Sequence, residues 1–456
     1  MADKKPNPAP LACVILAAGQ GTRMRSELTK VLHPVANKPM LAHVITACET
    51  LLPERLVVVA GPANKDQIEK AIAPITCAIQ QEPLGTGDAV KAARSELKNF
   101  NGDVIVLFGD GPLVTPDSLR TLQQKRQETK AAIVVAGFLP DDTAALGRLV
   151  LDDKGALTAI IETADATLEQ KQIKLCNGGI MLFAGDKILG LLDQIKNDNS
   201  KKEYYLTDAI ALARKAGDTC AVAILPVDEV YTVNSRTELA EAEKIMQRRL
   251  RKRAMVEGAT LTDPDTVFLS ADTKIGRDVT IGPNVFIGPG VEIADKADIR
   301  AFCHIEQTQI KEGAIIGPFA RLRPGSIVGP EAHIGNFVEL KNTQVERGAK
   351  INHLSYIGDA SVGEKANIGA GTITCNYDGY RKHRTEIGAG AFIGSNSALV
   401  APVKIGDGAY VGAGSVITTE VPANTLAIAR GRQANIDDWA RRFREEQDQK
   451  KKNEGK

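Results

Sequence analysis

The sequence lacks the features that mark membrane and disulfide-stabilised secreted proteins. Aromatic residues make up only 4% of its 456 residues, and its seven cysteines stand singly, without a Cys-x-x-Cys pair. Disulfide frameworks and structural zinc sites use paired cysteines, so neither explains this fold. We find no signal-peptide core and no apolar run long enough to span a bilayer. We therefore expect a cytoplasmic protein with reduced thiols and no membrane insertion.

The chain also lacks a charge of one dominant sign. Its 57 basic and 56 acidic residues give a net charge of +1, so no global field attracts nucleic acid. The basic run Arg248 to Arg253 has no interleaved aromatic residues, and we interpret it as the solvated end of a helix. At this length more than one domain is expected. We therefore expect ligands to be recognised by local binding sites and not by the charge of the whole chain.

The first half of the chain alternates short apolar runs with helix-like segments. Such alternation predicts βαβ units and a mostly parallel sheet, in which ligands bind beyond the C-terminal ends of the strands. The predicted strands are Cys13 to Ala17, Leu56 to Ala60, Val104 to Phe108, Ile133 to Gly137, Ile180 to Phe183 and Ala221 to Leu225, and the clearest helices are Met40 to Leu52 and Asp88 to Leu97.

A glycine-rich loop follows the first predicted strand. Gly19 and Gly21 allow backbone N–H groups to converge on an anion, and Arg23 and Lys30 add positive charge. The spacing matches neither the dinucleotide fingerprint nor the P-loop. It predicts a phosphate-binding loop, with an ordinary strand-to-helix turn as the alternative.

Two oxygen-bearing side chains follow later strands. Asp110 stands between two glycines at a strand end, where a carboxylate can hold Mg²⁺ against a triphosphate. Asn234, near the end of the predicted domain, can be a second ligand. Each of them can also be an ordinary turn former.

The second half has an aliphatic residue at every sixth position. This period is typical of a β-helix, in which three hexads form a triangular coil of about 18 residues. Between 275 and 417 it predicts about eight coils, with one-residue slips after 305, 340 and 357. We place the domain boundaries at 1–236, 237–257 for a connecting helix, and 258–456. The hexad positions are Ile275, Ile281, Ile287, Ile293, Ile299, Ile305, Ile310, Ile316, Leu322, Val328, Ile334, Leu340, Val345, Ile351, Ile357, Val362, Ile368, Ile387, Ile393, Leu399, Ile405, Val411 and Ile417.

Chemically reactive side chains cluster where the hexads are interrupted. An insertion between Thr374 and Ile387 must leave the solenoid as a loop. His353 alone is an ordinary surface residue, but Arg323 and Lys341 can hold a sugar phosphate nearby. We also expect Glu339 to orient an imidazole.

Several motifs in the first half resemble those of the sugar-1-phosphate nucleotidylyltransferase family. They follow one another along the chain in the same order as in the uridylyltransferase members of that family. The resemblance implies a Rossmann-like α/β domain with triphosphate contacts at Gly19 and at the catalytic residues Arg23 and Lys30. It also implies a nucleotide contact at Leu16. It implies uracil contacts at Gln80, Gly85 and Thr86, sugar contacts at Gly147, Glu162, Asn177 and Thr207, and Mg²⁺ at Asp110 and Asn234. Phe108 and Ala144-Ala-Leu146 depart from the family pattern. The motifs are Leu16-Ala-Ala-Gly-Gln-Gly-Thr-Arg-Met24, Gly109-Asp-Gly-Pro-Leu113, Leu84-Gly-Thr-Gly87, Gly147-Arg148, Asn177-Gly-Gly179 and Glu203-Tyr-Tyr-Leu-Thr-Asp208.

Motifs of the second half resemble hexapeptide-repeat acyltransferases. They are Gly317-Pro-Phe-Ala-Arg-Leu-Arg-Pro-Gly325, Gly335-Asn-Phe-Val-Glu-Leu-Lys341, His353-Leu-Ser-Tyr356 and Asn367-Ile-Gly-Ala-Gly-Thr-Ile-Thr-Cys-Asn-Tyr-Asp-Gly379.

Together the two halves resemble a family of bifunctional uridylyltransferase–acetyltransferases of bacterial cell-envelope biosynthesis. The resemblance implies a left-handed β-helix, a homotrimer, and synthesis of UDP-N-acetylglucosamine from UTP, acetyl-CoA and glucosamine-1-phosphate. It makes His353 the catalytic base. It implies amino-sugar contacts at Arg323, Lys341, Tyr356, Asn367, Asn376 and Tyr377, and acetyl-CoA contacts at Ala370, Ser395, Ala413 and Arg430. Two alternatives remain: a hexad domain that only oligomerises, and a non-catalytic regulatory subunit.

Overall fold

The computed structural model describes residues 9–143, 146–163, 165–199 and 201–454. Ala144 and Ala145, which belong to the predicted departure before Gly147, lie outside these ranges. The chain forms two compact units. The first comprises residues 1–253 and 268–271, and the second comprises 254–267 and 272–456.

The first unit is built on a nine-stranded sheet whose central path runs β11-β7-β10-β6-β1-β4-β5. All pairings along this path are parallel except those of β10, which is antiparallel to β6 and β7, and a β8–β9 hairpin joins the sheet through β10. The mostly parallel sheet is thus confirmed, whereas the hairpin was not predicted. The strands are β1 Leu11–Leu16, β2 Pro34–Val35, β3 Lys38–Pro39, β4 Arg55–Ala60, β5 Thr76–Ile79, β6 Asp103–Phe108, β7 Ile133–Phe138, β8 Arg148–Leu151, β9 Leu157–Ile161, β10 Cys176–Ala184 and β11 Cys220–Ile224; β2 and β3 form a separate ribbon.

Helices cover both faces of this sheet, because its central strands are apolar on both sides. The predicted helix from Asp88 to Leu97 is two helices, because the backbone leaves α-helical geometry at Ala93. The helices are α1 Met40–Glu49, α2 Lys65–Ile72, α3 Thr86–Ala92, α4 Arg94–Leu97, α5 Pro116–Thr129, α6 Gly185–Gln194, α7 Ala209–Lys215 and α8 Arg236–Val256, with 3₁₀ turns at Thr22–Met24, Lys30–Leu32, Gln170–Gln172, Leu206–Asp208 and Val227–Glu229.

The basic run in α8 is less solvated than its composition indicates. Arg249 donates a hydrogen bond to the carbonyl oxygen of Leu113 at 2.6 Å, and Arg251 is buried. Burial lowers the pKa of the Arg249 guanidinium, although Glu229 and Asp228 oppose this shift. The interpretation as a fully solvated helix end was therefore wrong for these two residues.

The second unit is a parallel β-helix of the left-handed hexapeptide type. One of its sheets has ten strands, and each coil contributes one strand to it, so there are more coils than the eight or so predicted. The difference arises because the coils begin at Thr260, before the predicted start, and continue to Ala427, beyond the predicted end. Its strands are β12 Thr260–Leu261, β13 Phe268–Leu269 (grouped with the first unit), β14 Lys274–Ile275, β15 Thr280–Ile281, β16 Phe286–Ile287, β17 Glu292–Ile293, β18 Asp298–Ile299, β19 His304–Ile305, β20 Thr308–Ile310, β21 Ile315–Ile316, β22 Arg321–Leu322, β23 Ser326–Val328, β24 His333–Asn336, β25 Glu339–Val345, β26 Lys350–His353, β27 Tyr356–Val362, β28 Asn367–Ile368, β29 Ile373–Cys375, β30 Thr385–Ile387, β31 Phe392–Ile393, β32 Ala398–Val400, β33 Val403–Ile405, β34 Tyr410–Val411, β35 Val416–Ile417 and β36 Leu426–Ala427; a 3₁₀ turn spans Pro264–Thr266.

The strand register explains the slips in the hexad pattern. Ile281 lies beside Ile299, 18 residues later, whereas Ile293 lies beside Ile310, 17 residues later. A slip is therefore a coil that is one residue shorter. Every predicted hexad position except the partly exposed Ile275 is buried, which confirms the hexads as the core of the solenoid.

The charged tail after the solenoid contains a helix, α9 Trp439–Glu454, with no buried residue. Trp439 and Phe443 stack on each other at 5.1 Å and stay about half exposed. Within the described part of the chain, none of the helices combines the length and apolar character needed to cross a membrane.

Candidate functional site

A cleft opens at the C-terminal edge of the first unit's sheet, where α/β sheets bind ligands. It consists of two cavities of about 300 and 460 Å³ that share Thr86, Phe108 and Glu203 as lining residues. The smaller cavity is lined by Leu16, Gly19, Lys30, Gln80, Gly85, Thr86 and Asp110 among others, and the larger by Glu162, Asn177 and Thr207 among others. Most of the predicted nucleotide and sugar residues thus meet in one place.

The glycine-rich loop is tightly bound to the turn that carries Lys30. Gly21 has a φ of +64°, and a Cβ at this position would lie 2.5 Å from Cβ of Lys30. Only glycine combines that backbone conformation with so close an approach. Arg23 is exposed on the turn Thr22–Met24 and does not line either cavity, unlike Lys30.

Backbone hydrogen bonds join the ends of β1 and β6 to the segment before α8 that carries Asn234. The amide of Gly109 donates to the carbonyl oxygen of Leu16 at 2.9 Å, and the amide of Val233 donates to that of Asp110 at 2.9 Å. Lys30 therefore reaches the carboxylate of Asp110, which it contacts directly, and Oδ1 of Asn234 at 3.1 Å. The predicted cation and its two predicted metal ligands form one cluster.

The chemistry of this cluster suits a hard divalent cation. Oδ1 of Asp110 is buried and has no hydrogen-bond partner among the described residues, and Asn234 adds an amide oxygen. No group of three or more His, Cys, Asp or Glu side chains in the described ranges is arranged to hold a metal alone. A site with one carboxylate that relies on substrate phosphates for further ligands is typical of Mg²⁺.

The predicted uracil side is a rigid turn leading into α3. Nε2 of Gln80 donates to the carbonyl oxygen of Gly85 at 3.1 Å and to Asp88 at 2.9 Å. Gly85 has a φ of +112°, and a Cβ there would lie 2.7 Å from the carbonyl oxygen of Tyr204. Thr86 accepts a hydrogen bond from the amide of Leu206 at 3.0 Å, which links this turn to the larger cavity.

The predicted sugar residues surround that larger cavity. Gly147 accepts a hydrogen bond from the amide of Asn177 at 2.9 Å, and its Cα faces the carboxylate of Glu162. Oδ1 of Asn177 accepts from the amide of Gly179 at 2.9 Å, which fixes the side chain beside Thr207 in the lining.

In the second unit, three of the predicted amino-sugar residues, Lys341, Tyr356 and Asn376, are linked around a carboxylate that the sequence did not single out. Asp359 accepts hydrogen bonds from Asn342 at 2.8 Å, Asn376 at 2.5 Å and Lys341 at 3.4 Å. Asn376 also approaches the hydroxyl of Tyr356 at 3.4 Å. Burial raises the pKa of Asp359, but the hydrogen bonds from Asn342 and Asn376 and the charge of Lys341 outweigh it and bring the pKa below its usual value. The only sequence signal for this residue is its place in the strand after Tyr356.

His353 has a different partner from the one expected. Its Nδ1 lies 2.6 Å from Oδ1 of Asn336, on the adjacent coil, so the amide oxygen can hold the ring tautomer with the proton on Nδ1. Glu339 instead pairs with Arg323 at 2.8 Å. The prediction that Glu339 orients the imidazole was therefore wrong. Asn336 lies 17 residues before His353, which is one coil of the hexad period, but the period does not show which of the neighbouring side chains contacts the ring.

The predicted acetyl-CoA residues form a column along one corner of the solenoid. Ala370, Ser395, Ala413 and Arg430 follow the successive strands β28, β31, β34 and β36 of the ten-stranded sheet. Arg430 donates to the carbonyl oxygen of Ala413 at 2.7 Å. The amide of Gly371, next to Ala370, donates to the carbonyl oxygen of His353 at 3.3 Å. The column therefore begins next to the backbone of His353.

The insertion loop extends from this region. Tyr377 is exposed and donates to the carbonyl oxygen of Gly379 at 2.5 Å, and Asn367 is partly exposed at the start of β28. Asp378 accepts from the amides of Arg381 and Tyr380 and from His383, and these contacts lower its pKa to about 2. A carboxylate thus organises the loop internally.

The fold and the cleft of the first unit define a nucleotidyltransferase. The β-helix and the side-chain cluster of the second unit define a hexapeptide-repeat transferase. A family model described as a MobA-like NTP transferase domain matches residues 13–203, and one described as bacterial transferase hexapeptide (six repeats) matches 272–307, 307–342 and 384–419. "Bifunctional protein GlmU" of Paramagnetospirillum magneticum is 54% identical over 97% of this chain and 98% of its own length. Proteins of the same name from Rhodospirillum rubrum and Nitrobacter hamburgensis are 55% and 52% identical, each over 95% of this chain and over 97% and 96% of their own lengths.

The chain belongs to the GlmU family. It is a bifunctional transferase of UDP-N-acetylglucosamine biosynthesis, with a uridylyltransferase and an acetyltransferase on one chain. The nucleotidyltransferase family uses a divalent metal, and hexapeptide repeats are associated with oligomerisation.

Proposed function

We propose that each reaction belongs to one of the two units, uridylyl transfer to the nucleotide cleft and acetyl transfer to the site around His353. Residues 1–236 would transfer uridylyl groups, residues 258–456 would transfer acetyl groups, and the helix at 237–257 would connect them. The observation that carries this proposal is the clustering of Lys30, Asp110 and Asn234 at the nucleotide cleft, far along the chain from the His353 and Asn336 pair.

In the first cleft, a phosphate oxygen of N-acetylglucosamine-1-phosphate attacks the α-phosphorus of UTP, and the bond to the β-phosphate breaks to release pyrophosphate. Lys30, helped by the more exposed Arg23, neutralises charge on the triphosphate during this displacement. Gln80, Gly85 and Thr86 hold the base, and Gly147, Glu162, Asn177 and Thr207 hold the sugar. Asp110 and Asn234 would hold Mg²⁺, which supplies Lewis-acid stabilisation of the phosphates.

At the His353 site of the second unit, the amine of glucosamine-1-phosphate attacks the thioester carbonyl of acetyl-CoA. The imidazole of His353 takes the amine proton, and the C–S bond breaks to release the thiol. Arg323 and Lys341 bind the phosphate, and Tyr356, Asn367, Asn376 and Tyr377 contact the sugar. The column from Ala370 to Arg430 binds acetyl-CoA.

The two reactions are consecutive, because the acetylated sugar made by the second unit is the substrate of the nucleotide cleft. We further propose that the chain acts in the cytoplasm, where UTP and acetyl-CoA are present. The exposed position of the acetyl-CoA column supports a homotrimer in which a neighbouring copy covers it.

A pair of substitutions tests this assignment. Asp110→Ala should abolish pyrophosphate release while thiol release from acetyl-CoA continues, and His353→Ala should have the reverse effect. If thiol release never depends on glucosamine-1-phosphate, the hexad unit only oligomerises the transferase. If either variant leaves both rates unchanged, the residue is wrongly assigned.

A further inference from the structure

The side chain of Lys30 contacts both proposed metal ligands at once. Its ammonium is paired with Oδ2 of Asp110 and lies 3.1 Å from Oδ1 of Asn234. The side chains of Lys30 and Asp110 are only 12% and 14% exposed, so water screens this pair weakly. An ammonium therefore contacts the same oxygens that a divalent cation would use.

A second cation cannot share those oxygens without a cost. The ammonium already neutralises the carboxylate, and two cations within a few ångströms repel each other strongly in a weakly screened cleft. The remaining oxygen of Asp110, the unpartnered Oδ1, is too close to Lys30 to escape this repulsion. Binding of the metal to this cluster thus requires Lys30 to find another anionic partner.

The polyphosphate of the nucleotide is such a partner, and Lys30 is built to reach it. The base of the side chain is held against Gly21, whereas its charged end lies on a flexible four-carbon stem in the lining of the cavity. Movement of the ammonium from carboxylate to phosphate needs rotation about side-chain bonds only, with the backbone turn Lys30–Leu32 unchanged.

We propose that Lys30 blocks the metal site against free cations and exchanges Asp110 for the triphosphate when the nucleotide binds. The metal therefore does not bind to this site on its own before the nucleotide. This inference rests on the proposed roles of Asp110 and Asn234 in holding the metal.

The test measures Mn²⁺ binding by electron paramagnetic resonance to the full-length chain. In the absence of nucleotide, Lys30→Met should bind Mn²⁺ at least about 10-fold more tightly than wild type. Lys30→Gln should behave in the same way, which guards against a local folding defect in one variant. Lys187→Met is the matched control, because Lys187 pairs with Asp218 at 3.2 Å away from the cleft lining, and it should leave Mn²⁺ affinity unchanged.

A second set of titrations contains UTP without the sugar phosphate. The higher Mn²⁺ affinity of Lys30→Met relative to wild type should then disappear or reverse, because the wild-type ammonium now stabilises the triphosphate. The exchange mechanism is overturned if Lys30→Met and Lys30→Gln bind free Mn²⁺ no more tightly than wild type.

One further variant distinguishes a failure of the exchange mechanism from a failure of the proposed metal site. If adding Asp110→Asn to Lys30→Met does not weaken Mn²⁺ binding, Asp110 does not hold the metal and the proposed site itself is wrong. If it does weaken binding while Lys30→Met alone binds no more tightly than wild type, the metal site stands and only the exchange fails.

Discussion

Replacement of Asp359 by Asn should selectively damage the acetyltransferase site. The carboxylate accepts hydrogen bonds from Asn342 at 2.8 Å and Asn376 at 2.5 Å and pairs with Lys341 at 3.4 Å. The substitution keeps the shape of the side chain but turns one oxygen into a donor, which then faces another donor. Lys341 and Asn376, which we assign to the amino sugar, would lose the carboxylate that holds them together.

The magnitude follows from the contacts that are lost. A hydrogen bond to a charged group contributes about 1.5–3 kcal/mol, and the ion pair with Lys341, at a longer distance, adds about 1 kcal/mol or less. We expect about 1.4–2.8 kcal/mol of this to appear as weaker binding, which is a 10- to 100-fold higher KM for glucosamine-1-phosphate. Pyrophosphate release in the first cleft should not change.

The assay is thiol release from acetyl-CoA at varied concentrations of glucosamine-1-phosphate. Asp407→Asn is the matched control. Asp407 accepts a hydrogen bond from the amide of Ala389, on the adjacent coil, at 2.8 Å and lies outside this cluster. A KM for Asp359→Asn within twofold of wild type, in a folded protein, would refute the anchoring role of the carboxylate.

The titration of Asp359 provides a second check. Its pKa is lowered overall, because hydrogen bonds and Lys341 outweigh the opposing effect of burial. A depressed carboxyl pKa contributes stability that is present above the unfolded value and is lost as pH falls through the folded value. The stability difference between wild type and Asp359→Asn should therefore shrink at acidic pH, and a constant difference in calorimetry would contradict this.

Three further substitutions probe other parts of the molecule. Asn336→Ala should lower kcat for thiol release by about fivefold with little change in KM, because one hydrogen bond of about 1 kcal/mol orients His353; an unchanged kcat would exclude this role. Ile334→Ala should cost about 2–5 kcal/mol of unfolding free energy in urea titrations, because the side chain is fully buried, whereas the exposed Leu354→Ala should cost less than about 0.5 kcal/mol. His33→Gln should flatten the fall in stability below pH 6.5, because burial and Arg236 lower the pKa of His33, so that its contribution is present above 6.5 and is lost at lower pH; a slope equal to that of wild type would contradict this.

Local patterns determined much of the architecture. The apolar runs predicted the main strands of the first sheet because a strand buried on both faces has no polar positions, and the hexads predicted the solenoid core because each coil repeats the same inward position. Even the one-residue slips were informative, since Ile293 and Ile310 show that each slip is a shorter coil.

The nucleotide cleft was predictable for the same reason. Strand ends in a parallel sheet meet at one edge, so the residues that follow them, such as Lys30 and Asp110, come together whatever the details of the loops. Ordered motifs then supplied the rest of the lining. The contact of Lys30 with Asn234, 204 residues away, could not be read from spacing.

Which side chains act as partners was decided only by tertiary structure. Asn336 rather than Glu339 accompanies His353, and Asp359 rather than a sequence-selected residue joins Lys341 to Asn376. These pairs lie on adjacent coils, 17 or 18 residues apart. Sequence shows which residues face outward at each level of the solenoid. The choice of partner depends on side-chain rotamers and on differences in position of less than an ångström, and both are set only once the coils have stacked.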